Sequence, residues 1–316
     1  MRLRDVGEFG LIDRIARIAG RASGRDVVLG IGDDAAVLRP RPGEDLVVTT
    51  DALVEGVHFR FATQSARRIG ARALAVNLSD LAAMGARPLG ALLAFAAPPE
   101  LPLRSALDLV RGLVALGRRH ACPLVGGNVV RARETSLTVT ALGAVARGRA
   151  LLRSSARPGD RILVTGTLGG AALALARAER GGAGIRVVPE PRLGAGRILA
   201  RTRGVGACID VSDGLLADLG HVLEASGVGA ELDARRLPAP RRFAAACARA
   251  RLDPWELQLM GGEDYELLFT IRPAGPTASV LARRLRVAVT EIGTVTRRGL
   301  RLRGARAPAR SGWRHF

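Results

Sequence analysis

Lysine is absent from all 316 residues, so the 48 basic side chains are arginines throughout. That absence excludes whole mechanisms. A P-loop needs a lysine in its phosphate-binding turn, a protein kinase needs one on a strand, and Schiff-base enzymes need the amine itself. Cysteine is scarce as well: Cys122, Cys208 and Cys247 are an odd number without paired spacing, which signals neither a disulfide framework nor a zinc site and predicts a reducing compartment. Aromatic residues make up only 3%, too few for a platform on which nucleic-acid bases stack. The longest apolar run, near Leu89 to Pro99, is too short to span a bilayer. The opening MRLRDVGEFG carries charges where a signal peptide needs an apolar core. These readings predict a cytoplasmic protein.

Positive charge is what the chain has in excess. With 29 acidic residues the formal net charge is +19, which invites a nucleic-acid ligand. The arginines are spread along the chain, however, and form no single tail or block. Their spread suits biased coding toward arginine as the preferred hypothesis, so nucleic acid is not expected as the main partner. At 48% hydrophobic residues there is core for one large or two ordinary domains.

Periodicity gives a mixed α/β reading. Apolar residues from Ala66 to Met84 recur at helical spacing and stop at Gly85 and Pro88. A strand (LGALLAFAA), a second helix from Leu103 to His120, a short strand before Gly126-Gly127 and alternating TSLTVTALG complete the first half. The polar turn RSSARPGD marks a boundary, predicting domains over 1–150 and 151–316. Beyond it come a strand (RILVTG), a helix from Gly169 to Arg180, a strand (VGACIDVS), a helix, a strand (VGAELDA), a helix, DYELLFTI and a closing pair near Val287 to Leu302. The segment AERGGAGIRVVPEPR reads as a loop.

Acidic residues gather where arginine is missing. Five stretches, VVLGIGDDAAVL, LVVTTDALVEGVHF, ALAVNLSDLAAMGA, ACIDVSDGLLADLG and LQLMGGEDYELLFTI, hold 69 residues and eleven carboxylates without one arginine, where the chain average would place about ten. A carboxylate in apolar surroundings needs a cation, donors or a proton. Oxygen donors from Asp, Glu and Thr, without His or Cys clusters, favour Mg²⁺ over zinc.

Each stretch also has a plain structural explanation. Asp33-Asp34 after two glycines makes an ordinary capping turn, and Thr49, Thr50 and Asp51 offer three oxygens at a strand end or a cap. Asn77 and Asp80 share one face of an otherwise apolar helix. Asp210, Ser212 and Asp213 join a strand end to a helix start, where backbone N–H groups attract an anion or a phosphate-bound metal, though Ser212 alone is a common N-cap. Glu263 and Asp264 follow Gly261-Gly262, glycines that suit close approach to a ligand or a simple turn. His58 has no second ligand nearby in sequence, and Arg153 reads equally as a linker charge. Many carboxylates and glycine turns without a P-loop are what phosphoryl transfer requires when metal neutralises the triphosphate, so the residues lead to a Mg²⁺-nucleotide enzyme.

The ordered motifs GEFGLI, GIGDDAAV, TTDALVEGVHF, ALAVNLSDLAAMGA, IDVSDGLLADLGH, GGEDYELLF and the terminal GW-HF resemble the thiamine-monophosphate kinases, relatives of aminoimidazole-ribonucleotide and selenophosphate synthetases. The resemblance implies a dimeric two-domain synthetase-like fold. The N-terminal domain would bind metal and ATP and pair strands across the dimer, and the C-terminal α/β domain would complete the nucleotide and substrate site. It implies transfer of the ATP γ-phosphoryl group to thiamine monophosphate. By motif, Asp34, Thr49, Thr50, Asp51, Asp80 and Asp210 resemble magnesium ligands, and Asp213 holds a further ion. Arg153 and Ser212 resemble nucleotide contacts, while His58, Glu263 and Trp313 resemble positions facing the thiamine phosphate. No dedicated base is expected, because a phosphate acceptor is already ionised near neutral pH.

Two departures stand out. Gly126-Gly127-Asn128-Val129 replaces the family's usual GGDT, and Arg314 stands where an acid is usual. Gly127 and Asn128 are carried over as nucleotide contacts and Asn128 also as a metal ligand, with one charge lost. An aspartate at 128 would be expected to complete a pocket with Thr50 and Asp51. A homodimer is expected, since LGALLAFAA and LTVTALG would otherwise leave exposed edges. The competing readings are a sister ATP-dependent synthetase acting on another small substrate, and a catalytically weakened nucleotide-binding homologue.

Overall fold

Residues 1–20, 26–181 and 184–305 are described in the computed structural model. They divide into two units: one takes in 1–81, 87–148 and 184–190, the other 82–86, 149–181 and 191–305.

The first unit contains α1 (Gly7–Ala19), β1 (Val27–Leu29), β2 (Val37–Leu38), β3 (Glu44–Val54), α2 (Ala66–Ala83), β4 (Arg87–Ala97), α3 (Leu103–Arg119), β5 (Leu124–Arg131) and β6 (Ser136–Ala146). Four strands form a sheet in the order β3-β6-β4-β5. β4 pairs antiparallel with β6 and parallel with β5. The even spacing of Leu89, Ala91, Leu93, Phe95 and Ala97 buries one face of β4. Along α2, Ile69, Leu74, Leu78 and Leu81 are wholly buried. Gly70 and Gly112 let α2 and α3 cross backbone to backbone, since a Cβ on Gly70 would strike the Leu109 carbonyl and one on Gly112 the Arg67 carbonyl. The opposite sheet face leaves Leu46, Val48 and Val130 exposed. The strand order corrects one expectation: LGALLAFAA and LTVTALG lie in the two central strands, and the edges are β3 and β5. It is a face, not those edges, that stands open.

The second unit contains β7 (Arg161–Thr165), α4 (Gly170–Glu179), α5 (Leu193–Leu199), β8 (Val205–Asp210), α6 (Leu215–Ser226), β9 (Gly229–Asp233), α7 (Phe243–Ala250), α8 (Pro254–Met260), β10 (Leu267–Ile271), α9 (Ala278–Leu285), β11 (Val289–Thr296) and β12 (Leu300–Arg303). Its sheet runs β12-β9-β11-β7-β10-β8. β9 separates β11 from β12, so the last two strands are not the pair their spacing suggests. Both flank the same earlier strand. The strands Ile162–Val164 and Leu267–Phe269 are apolar without alternation because both faces are covered.

Candidate functional site

In the first unit the candidate ligands lie along β3 and the helix above it. The pleat of β3 sends Val47, Thr49, Asp51 and Leu53 to the helix-covered face, where Leu53 is buried, and Leu46, Val48, Thr50 and Ala52 to the open one. Thr49 Oγ1 donates to Asp80 Oδ2 at 2.5 Å, joining strand to helix. Thr50 turns the other way: its hydroxyl meets Thr140 Oγ1 at 3.1 Å and the Val139 carbonyl at 3.2 Å. The three oxygens of Thr49-Thr50-Asp51 are therefore not one cluster of side chains, because the motif lies inside an eleven-residue strand and not at its end.

Asn77, three residues before Asp80, is fully buried; its Nδ2 donates to Ala73 O at 3.0 Å and its Oδ1 has no hydrogen-bond partner among the described residues. Asp34 lies in the exposed turn between β1 and β2, where its N–H donates to Asp33 Oδ1 at 2.8 Å. Gly127 and Asn128 lie in β5. A Cβ at Gly127 would run into the Leu93 backbone, so glycine allows the strands to close there. Asn128 is in register with Ala94, then Thr138, then Ala52, which places it on the open face at the far edge from β3. Three strand spacings, about 14 Å, separate it within one chain from Thr50 and Asp51. An aspartate at 128 could not complete a pocket with those two residues of the same chain. His58 is half-buried; its Nδ1 accepts the Val54 N–H at 3.1 Å, and its carbonyl accepts from the buried Arg72. The proton of the neutral ring is thereby assigned to Nε2.

In the second unit the buried Asp210 ends β8, and Ser212 and Asp213 follow in the turn before α6. The expected nest of backbone N–H groups is there but already filled. Asp218 Oδ2 accepts the N–H groups of Ser212, Asp213 and Gly214 at 3.0, 3.1 and 3.1 Å. An internal carboxylate, not an outside anion, satisfies this turn, which leaves the side chains to meet a ligand. Burial pushes the Asp218 carboxyl up to about 7 against the pull of those bonds.

The 211–214 stretch is stitched to the GGEDYE segment. Glu263 N donates to Ser212 O and Tyr265 N to Val211 O, both at 2.8 Å, and Val211 N donates to Glu266 O at 2.8 Å. Glu263 and Tyr265 have left-handed backbones, φ 69° and 50°, each costing about 1–3 kcal/mol. Between them Asp264 reaches the start of α4, accepting Gly169 N at 2.6 Å and Ala171 N at 3.3 Å, and burial raises its carboxyl to about 7. Glu266 is buried in a fork from Arg192, with Nε at 2.7 Å and a terminal nitrogen at 2.5 Å, and accepts the Thr165 hydroxyl at 2.6 Å. It is thus neutralised by an arginine 74 residues away. Arg153 is exposed in a short turn, its carbonyl accepting from Ser226. Trp313 and Arg314 lie outside the described residues.

Asp218 and the Arg192–Glu266 pair are the residues sequence reasoning missed; Asp264 stands out in sequence beside Glu263, but its hold on Gly169 and Ala171 does not. Asp218 sat in view, five positions past Asp213 in the same arginine-free stretch. Among the described residues no three His, Cys, Asp or Glu side chains are grouped closely enough to hold an ion by themselves. The oxygen-only donor set nonetheless suits Mg²⁺, which keeps several waters and binds through one or two carboxylates and substrate phosphates.

Two family models match the chain: AIR synthase related protein, N-terminal domain, over residues 32–145, and AIR synthase related protein, C-terminal domain, over 157–304. Fold and motifs thus define a two-domain protein of the AIR-synthase-related class. Within it, a thiamine-monophosphate kinase of Mycobacterium tuberculosis is 41% identical over 273 residues, 84% of this chain and 81% of the relative. The crystal structure of a thiamine-monophosphate kinase from Stenotrophomonas maltophilia superposes with a TM-score of 0.83 at 42% identity, over 96% of this chain and 98% of that one. AaThiL complexed with AMPPCP and TMP gives 0.77 at 30% identity, covering 100% and 99%. The chain belongs to the thiamine-monophosphate kinase family.

Proposed function

We propose that this chain transfers the γ-phosphoryl group of ATP to thiamine monophosphate, with the oxygen ligands of its arginine-free stretches holding Mg²⁺. The observation that carries the reading is the Thr49–Asp80 contact: a carboxylate and a hydroxyl held together at the edge of a sheet, in a chain whose relatives are kinases of this kind. Bound there, Mg²⁺ would neutralise the triphosphate and the developing charge on the transferred group. Asp80, Asp51 and Thr49 are the ligands in the first unit, joined by Asp34 from its turn; Thr50 and Asn128, on the open face, stand apart from this set within one chain. Asp210 and Asp213 serve in the second. In the second unit Ser212 and Arg153 are assigned to the nucleotide and Glu263 to the thiamine phosphate; in the first, Gly127 is assigned to the nucleotide and His58 to the thiamine phosphate. No side chain is assigned as base, because the acceptor is itself a phosphate. The role of these residues is to position and to hold charge.

The test is direct: purified protein, ATP, Mg²⁺ and thiamine monophosphate should give thiamine diphosphate. No such product at any magnesium concentration would sink the reading.

We also propose a homodimer formed through the open face of the four-stranded sheet. Leu46 and Val48 on β3 are 55% and 59% exposed, and Val130 is exposed on β5 across the same face, apolar surface that association would cover. Light scattering at micromolar concentration should give twice the chain mass. A single-chain mass would contradict it. A cytoplasmic location agrees with three buried, free cysteines.

A further inference from the structure

The residues assigned to substrates in the second unit, Ser212, Asp213 and Glu263, all lie on two stretches of backbone that two internal carboxylates fix from within. Asp218 gathers three consecutive N–H groups, those of Ser212, Asp213 and Gly214, on one oxygen. Asp264 divides its two oxygens between Gly169 and Ala171. The stretches are tied to each other by Glu263 N to Ser212 O and Tyr265 N to Val211 O. A Cβ at Gly262 would strike the Ser212 carbonyl, and one at Gly214 would crowd the Met260 backbone. The left-handed conformations of Glu263 and Tyr265 are disfavoured alone and persist only where surrounding bonds determine them.

We infer that Asp218 and Asp264 are positioning residues for the two substrates, Asp218 for Mg-ATP through Ser212 and Asp213, Asp264 for thiamine monophosphate through Glu263. The inference rests on the functional reading above. Neither carboxylate meets a substrate; each satisfies backbone donors that a polar ligand would otherwise capture, and so presents side chains in their place. The two anchors differ in a way that conservative substitution exposes. Asparagine at 218 can put its carbonyl oxygen where Oδ2 stands and keep all three bonds. Asparagine at 264 keeps one bond and turns an NH₂ toward the second donor.

Steady-state kinetics on the full chain test this. Asp218→Ala should raise KM for Mg-ATP by about tenfold or more, with Asp218→Asn returning it to within about threefold of the parent. Asp264→Asn should raise KM for thiamine monophosphate by about tenfold while KM for Mg-ATP stays within about twofold. If Asp218→Ala fails to fold, Asp218→Glu keeps the charge, displaces the oxygens and is expected to show the same rise. Parent KM values in the variants, with only kcat or yield reduced, would mean a merely structural role and overturn the inference. If the parent chain makes no thiamine diphosphate, the functional reading has failed. Calorimetric titration with Mg-ATP still decides for Asp218, since equal Kd for parent and Asp218→Ala overturns the inference without reference to the acceptor.

Discussion

The two units use the same raw material, carboxylates in stretches free of arginine, in opposite ways. In the first, Asp34 and Asp51 are exposed and Asp80 accepts the Thr49 hydroxyl. These are oxygens a cation with its own water could reach. In the second, Asp218 and Asp264 are tied to backbone N–H groups and Glu266 to Arg192. The first unit's acids lie near the strand and turn surfaces, while Asp218, Asp264 and Glu266 in the second hold the chain in shape. Acid-rich composition therefore does not mark a metal site until each carboxylate's donors have been accounted for.

The sharpest way to break that comparison is Asp80→Asn. Turnover should fall by about two to three orders of magnitude, with the thermal midpoint within about 4 °C of the parent. Asp210→Asn should match it. Near-parental turnover at saturating ATP would place these residues with the structural acids. Glu266→Gln should do the reverse, costing about 3 kcal/mol of stability in urea denaturation, because it leaves the Arg192 guanidinium without its charge partner.

A pH dependence also separates the classes. Burial raises the Asp264 carboxyl to about 7, whereas in the unfolded chain it titrates near 4. Between about pH 4 and 7 the folded chain keeps a proton that the unfolded chain has released, so this group weakens folding by about 1.4 kcal/mol for each unit that pH rises. Above that window the loss is complete. Asp264→Asn should flatten this part of the profile, read from urea midpoints across a pH series. Identical slopes would show that the group does not titrate there. The least effect is expected from Asn128→Asp: Asn128 Oδ1 already accepts the Val129 N–H at 2.8 Å, a bond an aspartate keeps, so the exchange changes charge and donor pattern with little change in packing. The Mg²⁺ concentration for half-maximal activity should fall by no more than about threefold.

Much of the architecture was legible because it is local. The helical spacing of Ile69, Leu74 and Leu78 placed α2, and the alternation of Leu137, Val139 and Ala141 placed β6. The family could be read from ordered motifs. What could not be read depends on distance or on pleat. Arg192 and Glu266 are 74 residues apart, and nothing in the loop-like run before Arg192 suggests its partner. Asp264 and Gly169 are 95 apart. The divergence of Thr49 from Thr50 follows from strand alternation, but only once the strand is known to run past both.

The units are not consecutive pieces of chain. Residues 184–190, between α4 and α5, belong to the first unit: Ile185 N donates to Thr63 O at 2.9 Å, and Glu190 pairs with Arg119 at 2.5 Å. Residues 82–86 belong to the second, where Leu151 N donates to Met84 O at 3.2 Å. A gene cut after residue 150 would therefore yield two incomplete halves, each lacking a stretch encoded in the other. Neither could be exchanged between homologues as a cassette without carrying the borrowed stretch along.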